Sequence, residues 1–316
     1  MNSEIFLTTI VPCLNEARVL EKTVHELNNC LASFPSYEIL IVDDGSSDGT
    51  WEQVIEMTKN DNRIHGLRLS RNFGHQAAIC AGLAHSKGRF TAIIDADLQD
   101  PPSVLVEMVK VLEKEKADVV YGIRKEREGV GVFYRACYSI FYKTFFYLTG
   151  LGQGLEAGDF RVVNRRIVDE INKLPESERY IRGLISWLGF KQVGFEYIRP
   201  QRSLGSTKYN FKKLYELAVS GITSFSILPL RFATACAGLS AVFAILVASW
   251  AVVDRYYLGT PPRGWTSIIV VLLGLGTIHF LLLGVIGEYL GKVFLQTKNR
   301  PTYIIAEYSK GRQMNQ

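Results

Sequence analysis

Residues 38–50 read EILIVDDGSSDGT, an apolar run that stops on two acids and turns at a glycine. Ile39 to Val42 have the β-branched composition of a buried strand. Asp43 and Asp44 end it and Gly45 permits a tight turn. Ser47 or Asp48 can then cap a helix starting at Thr50. One short stretch therefore predicts strand, turn and helix in immediate succession.

The same rhythm continues in both directions. IFLTTIVP (5–12), IHGLRLS (64–70), FTAIIDAD (90–97) and ADVVYGI (117–123) read as further strands. Helical patterns near 16–33, 50–60, 75–86 and 102–116 alternate with them. This alternation predicts an α/β domain, a mostly parallel sheet with helices on both faces. Such sheets bind ligands beyond the carboxyl ends of their strands. Those ends carry Pro12 to Glu16, Asp43 to Ser46, and Asp95-Ala96-Asp97. No G-x-G-x-x-G opens the first helix, where PCLNEA stands instead, so a nicotinamide or flavin enzyme is disfavoured; the P-loop pattern is absent too.

The acids need a reason beyond folding. FTAIIDADLQDPP (90–102) ends an apolar run in Asp95, Asp97 and Asp100. Side chains two apart at a strand end leave the same face. Two carboxylates and a diphosphate suit Mg²⁺ or Mn²⁺, and Gln99 could add a neutral oxygen. One such D-x-D arises by chance about once in a chain this long, as a solvated turn. The company of DDGSSDGT moves the reading toward a metal site. Asp44, at its own strand end, can accept hydrogen bonds from a ribose or a base.

The averages, 47% hydrophobic and 21% charged with net charge +5, hide an asymmetry. Residues 232–253 and 264–287 contain no Asp, Glu, Lys or Arg. At 1.5 Å per residue they reach roughly 33 and 36 Å, enough to cross a hydrocarbon core of about 30 Å. Two transmembrane helices are expected. Lys212, Lys213 and Arg231 precede them, Lys292, Lys298 and Arg300 follow, and the loop between carries only Arg255 and Arg263 against Asp254. The positive-inside rule then puts both termini in the cytoplasm. Tyr256, Tyr257 and Trp265 are placed for an aromatic belt. The opening MNSEIFLTTIVPCLN lacks a basic export leader, so the first part of the chain is expected to stay cytoplasmic.

Phe211, Leu214, Tyr215, Ala218, Ile222 and Phe225 recur at helical spacing, as in a helix lying at a membrane surface. The aromatic stretch 132–150 reads either as a second surface element or as a packed core helix. Ala233, Ala237 and Ala241, and Gly287 with Gly291, are spaced for close helix packing. A homo-oligomer, with a tetramer as the working number, follows from so thin a bundle. His75 and His279 read as structural, His279 bonding within the bundle. Cys13, Cys30, Cys80, Cys137 and Cys236 have no C-x-x-C spacing, so neither a disulfide framework nor a zinc site is indicated. No basic stripe interleaved with aromatics points to nucleic acid; phosphate ligands and an anionic membrane suit the charge better.

TIVPCLNEA, VDDGSSDGT, RNFGHQAA, DADLQDPP, GDFR and RPQRSLGSTKY, in that order over nearly the whole chain, together resemble glycosyltransferase family 2. The match is closest to its polyprenyl-phosphate branch, the bactoprenol glucosyltransferases and relatives of dolichol-phosphate mannose synthase. The resemblance implies a GT-A, Rossmann-like catalytic domain over 1–207 and amphipathic interface helices over 208–230. Transmembrane helices 231–253 and 264–290 would flank an external loop, 254–263, with a cytoplasmic tail at 291–316.

It also implies roles for particular residues. Pro12, Asn15, Glu16 and Ala96 would line the nucleotide cleft, Asp44 would contact uracil and ribose, and Asp95 the nucleotide. Asp97 and Gln99, with Asp95, would hold Mg²⁺ or Mn²⁺. Asp159 would lie near the sugar as the catalytic acidic residue, orienting the acceptor or stabilising charge on the sugar ring more than removing a proton. Arg202 and Lys208 would neutralise the diphosphate. Arg124, Arg135 and Ser139 match the spacing that grips an acceptor phosphate. Taken singly, the basic residues could equally be exposed charge, and Asp159 a turn or cap. The family's usual GESKY is GSTKY here, with Ser206 and Thr207. The implied activity is inverting transfer of a hexose, glucose from UDP-glucose, to polyprenyl phosphate at the cytoplasmic face of a bacterial-type inner membrane. GDP-mannose is the alternative donor. A processive polysaccharide synthase would need more membrane helices and a Q-x-x-R-W motif, and an inactive scaffold would not need intact acids.

Overall fold

The computed structural model describes residues 5–124, 158–176, 179–198, 226, 228–258 and 264–311. These residues divide into two compact units, the second beginning at Ser226 and ending at Asn299, with the chain after it returning to the first.

In the first unit the strands are β1 (Leu7–Cys13), β2 (Tyr37–Asp43), β3 (Ile64–Leu69), β4 (Phe90–Ile93), β5 (Val119–Arg124), β6 (Arg161–Asn164), β7 (Gln192–Tyr197) and β8 (Ile305–Ser309). The helices are α1 (Leu20–Leu31), α2 (Thr50–Asn60), α3 (His75–His85), α4 (Pro102–Glu115), α5 (Arg165–Lys173) and α6 (Ile181–Trp187). The sheet order is β7-β5-β6-β4-β1-β2-β3-β8. The run β4-β1-β2-β3 is parallel, as the alternation predicts, and β7 is parallel to β5. The flanks are mixed: β6 lies antiparallel between β4 and β5, and β8 antiparallel to β3.

Strand alternation assigns the faces. Leu7 and Val11 of β1 with Ile39 and Ile41 of β2 join a core with Leu20, Leu27 and Leu31 of α1, Trp51 and Val54 of α2, and Leu105 and Met108 of α4. Ile10, of the opposite parity, meets α3 on the other face. Helix α3 is apolar all round, and Ala77 to Leu83 are buried. It approaches β1 so closely that a Cβ on Gly82 would stand 2.4 Å from Ile10 Cγ2. Gly82→Ala should therefore overpack the core and lower stability by about 1–3 kcal/mol. A thermal melt of the variant at unchanged melting temperature would contradict this contact.

Strand β8 is the element that the sequence reading placed inside a simple tail, 291–316. It covers the β3 edge through more than backbone pairing. Glu307 accepts from Trp51 Nε1 at 3.1 Å and from Arg68 Nη1 at 3.0 Å, and Thr58 and Ser309 share a hydroxyl bond of 2.6 Å.

The second unit contains α7 (Leu228–Leu258) and α8 (Trp265–Thr297). Both are long and apolar enough to cross a membrane, with mean hydropathy 1.9 over Leu230–Val247 and 1.6 over Gly274–Thr297. Phe243, Leu246, Trp250, Phe280 and Leu281 are exposed on them. Tyr256 and Tyr257, near the end of α7, are also exposed. His279, expected to bond within the bundle, is exposed. A Cβ on Gly287 or Gly291 would meet nothing within 4 Å among the described residues. The surface helix expected over 211–225 and the aromatic stretch 132–150 lie outside the described residues.

Candidate active site

The parallel register sets the tips of β1, β2 and β4 side by side, and the residues after them line an open cleft of about 280 Å³. Pro12, Glu16, Asp44, Asp95, Ala96 and Asp97 all border it, together with His75. Six of the predicted positions are thus gathered from three separate segments.

Each acid of VDDGSSDGT has a distinct structural task. Asp43 is fully buried and accepts the Ser46 N–H at 3.1 Å, closing the turn at Gly45, whose φ of 77° favours glycine. Asp44 accepts the N–H groups of Phe73 at 2.7 Å and Gly74 at 2.9 Å, and so shapes the RNFG loop that leads into α3. Burial raises its pKa, against the pull of these two bonds. Asp48 accepts from Thr50 N–H and hydroxyl and from Ala17 N–H. The position preceding α2 is Gly49, in the left-handed region, rather than Ser47 or Asp48. Asn15 also works as a brace. At φ 56° it accepts the Ser47 N–H at 2.9 Å, while its own N–H donates to Ser46 Oγ at 2.8 Å.

At the β4 tip, the Thr23 hydroxyl of α1 donates to the Ala96 carbonyl at 2.6 Å and holds the D-A-D turn. Asp97 accepts from the Gln99 N–H at 3.1 Å and from its side-chain amide at 2.5 Å, so these two predicted metal ligands are adjacent. Asp95 Oδ1 is buried and takes no hydrogen bond. Burial raises the Asp95 pKa first, His75 opposes this, and the charges of Asp159, Asp97 and Asp100 raise it further. Crowded carboxylates with an unsatisfied oxygen fit a divalent cation. Among the described residues no group of three His, Cys, Asp or Glu could enclose a metal ion. The set fits an ion that takes its remaining oxygens from water and a diphosphate.

Asp159, of GDFR, is buried and strongly held. Arg182 of α6 reaches it with Nε at 2.7 Å and Nη2 at 2.8 Å. Gln76 and His75 each add a contact at 3.2 Å. Burial alone would raise its pKa, but the Arg182 hydrogen bonds, the His75 bond and the charges of Arg182 and Arg161 hold it well below the carboxylate range. Asp159 therefore stays ionised with its lone pairs occupied, an arrangement unsuited to taking a proton. His75, read as structural from sequence, instead links two acids across the cleft, with Nε2 3.2 Å from Asp159 and 3.6 Å from Asp95. Burial lowers its pKa, yet the Asp159 bond and the two acidic charges leave it raised overall.

Arg124, at the end of β5, lies beside the same acidic loop, bonded to Asp100 and Tyr197. Arg135, Ser139, Arg202 and Lys208 lie outside the described residues. Arg182 and Asp100 were given no role from sequence. The RNFGHQAA motif could have pointed to His75, but Arg182, in an unremarked YIRGL, carries no local signal.

A sheet flanked by helices on both faces, with an acidic cleft at its strand tips and a D-x-D turn at its rim, is a GT-A-like fold. The profile of Glycosyl transferase family 2 matches residues 8–171, and the chain belongs to that family. It is 38% identical over 306 residues to the uncharacterized glycosyltransferase YkcC of Bacillus subtilis, covering 96% of this chain and 94% of that one. It is 35% identical over 308 residues to the SfII prophage-derived bactoprenol glucosyl transferase of Shigella flexneri, covering 96% and 99%. Among solved structures, glucosyl-3-phosphoglycerate synthase from Mycobacterium tuberculosis with UDP superposes at TM-score 0.50 and 16% identity, over 70% of this chain and 79% of that one. The protein is a glycosyltransferase.

Proposed function

We propose that the protein transfers glucose from UDP-glucose to a polyprenyl phosphate at the cytoplasmic face of the membrane, with inversion at the anomeric carbon. The observation that carries the reading is the match to a bactoprenol glucosyl transferase over 96% of the chain. Coverage that broad takes in both apolar helices. The cleft geometry agrees, since it offers acids for a metal–diphosphate and a basic residue beside them.

Both β7 and β8 belong to one sheet although α7 and α8 lie between them in the chain. The segments before and after the two apolar helices therefore lie on one side, which supports a reading with two crossings and both ends cytoplasmic. Gly287 and Gly291, whose Cβ positions meet nothing within 4 Å among the described residues, support packing against a second copy in the bilayer.

The reaction breaks the bond from sugar C1 to the UDP oxygen and forms one from C1 to an oxygen of the lipid phosphate. That phosphate is already ionised near neutral pH, its second pKa being about 6, so no strong base is required. Asp95, Asp97 and Gln99 would hold Mg²⁺ or Mn²⁺, which supplies Lewis-acid stabilisation of the leaving diphosphate when bound. Pro12, Glu16 and Ala96 would border the nucleotide, and Asp44 would meet its ribose or base with the lone pairs left by the loop contacts. Asp159 acts through its partners: it fixes His75 and Arg182 beside the sugar rather than removing a proton. Arg124, with Arg135 and Ser139, would receive the acceptor phosphate, and Arg202 and Lys208 the donor diphosphate.

A thermal-shift screen of sugar nucleotides with Mn²⁺ tests donor choice. At a hundredfold excess over Kd a ligand stabilises by about 2.7 kcal/mol. UDP-glucose should raise the melting temperature by several degrees, and GDP-mannose should not. The reverse order would favour the dolichol-phosphate-mannose-like alternative.

A further inference from the structure

Asp100 closes the DADLQDPP motif, yet both of its oxygens are engaged by hydrogen-bond donors. It is 1% exposed, and a carboxylate so buried requires donors. Tyr197, the last residue of β7, donates its hydroxyl to Oδ1. Arg124 Nη2 donates to Oδ2 at 3.1 Å, and Arg124 Nε donates to the Tyr197 oxygen at 3.2 Å. The three side chains close a ring in which the carboxylate accepts twice, the phenol accepts and donates, and the guanidinium donates twice.

The surrounding backbone is shaped to admit this ring. A Cβ on Gly122 would stand 2.7 Å from both Phe160 Cδ1 and Tyr197 Cε1, whose aromatic rings meet edge-on at 5.3 Å. The glycine two residues before Arg124 thus seats Tyr197. A Cβ on Gly158 would stand 3.0 Å from Arg124 Nη2, so the glycine of GDFR leaves room for the guanidinium. Tyr197 is 5% exposed, whereas the Arg124 side chain is 38% exposed and its Nη1 is bonded to none of the described residues. Two of the three guanidinium nitrogens are thus anchored, and the third is left without a bond among the described residues.

We propose that Asp100 and Tyr197 are positioning residues that pre-set the Arg124 guanidinium for the phosphate of the lipid acceptor. The inference rests on the reading of Arg124 as an acceptor-phosphate ligand. Its physical content is preorganisation: a long, rotamer-rich arginine held in one orientation loses less entropy when the anion arrives. Asp100 serves the acceptor side of the cleft, while Asp95 and Asp97, on the same loop, serve the donor side. A metal on Asp100 would first have to displace Arg124 and Tyr197.

The test uses the full-length protein in detergent with labelled UDP-glucose, Mn²⁺ and polyprenyl phosphate. Asp100→Asn and Tyr197→Phe should each raise KM for the lipid about tenfold, the loss of one hydrogen bond to a charged group. KM for UDP-glucose and the Mn²⁺ half-saturation should stay within about twofold. The double variant should fall short of the product of the two, because both act on one ring. Asp100→Glu should recover part of the loss. Tyr197→Phe keeps the ring packed on Phe160, so the measurement stands even if Asp100→Asn fails to fold. An unchanged lipid KM in Tyr197→Phe, while Arg124→Ala raises it, overturns the positioning role and leaves the acceptor reading intact. A shift in Mn²⁺ half-saturation instead assigns Asp100 to the donor metal and also overturns it. An unchanged lipid KM in Arg124→Ala removes the acceptor reading itself, and the proposal with it.

Discussion

Sugar transfer should fall by at least about a thousandfold when Asp95 and Asp97 are both replaced by alanine, and by a similar factor in excess EDTA. Lewis-acid stabilisation of a leaving diphosphate contributes several kcal/mol, and each 1.36 kcal/mol is tenfold in rate. The fold should survive the change. Asp95 Oδ1 takes no hydrogen bond and meets only His75 at 3.6 Å, a group that Asp159 also holds, and Asp97 is bonded to Gln99 of its own turn. The Thr23 bond that holds the turn goes to the Ala96 backbone and persists. A discontinuous assay with labelled UDP-glucose and polyprenyl phosphate, alongside a melt of the variant, separates catalysis from folding. Full turnover in EDTA would sink the metal reading.

The second large effect belongs to Asp159, and it falls on stability as well as rate. Asp159→Asn leaves Arg182 and the buried Arg161 without their common counter-charge. Breaking a buried, hydrogen-bonded pair costs about 3–5 kcal/mol, on the order of 10 °C in melting temperature for a domain of this size. Turnover should fall too, because His75 loses the partner that fixes it at 3.2 Å. The pH dependence has a definite sign. The folded pKa of Asp159 lies below its unfolded value, so its contribution is complete above about pH 5 and is lost as the pH falls through the depressed folded pKa. The stability gap between wild type and Asp159→Asn should therefore be widest at about pH 5–6, narrowing in acid as Asp159 takes a proton and narrowing again at higher pH as His75, whose pKa Asp159 raises, loses one. Equal melting temperatures with most of the turnover retained would remove Asp159 from any positioning role.

Much of this was legible in the residues. The five strands expected from β-branched runs are present within a few residues, and the four expected helices alternate with them. Strands β6, β7 and β8 were not anticipated. RVVN is four residues long, QVGFEY carries a glycine and two buried-face ambiguities, and IAEYS follows a helix long enough to cross a membrane. None of these segments has enough length or apolar period to announce a strand; each is stabilised by the neighbour it pairs with. The site shows the same division. Asp44, Asp95 and Asp97, which border the cleft, were singled out because acids at the end of an apolar run have no local folding reason to be there. His75, Arg182 and Tyr197 were not, because each acquires its meaning from a remote partner, 84 residues away for His75 and Asp159, 23 for Arg182 and Asp159, and 97 for Tyr197 and Asp100.

The amino-acid order alone determined the alternating elements, the two long apolar helices and the chemical types waiting at the strand tips, since hydrophobic period and local turn chemistry act over a few residues. Only the tertiary structure decided which acid answers to which base. Parallel registry of β1, β2 and β4 brings remote loops within hydrogen-bonding distance. Burial then turns those encounters into strong ones, dividing the acids between loop bracing, an open oxygen set, and anchors for Arg182 and Arg124.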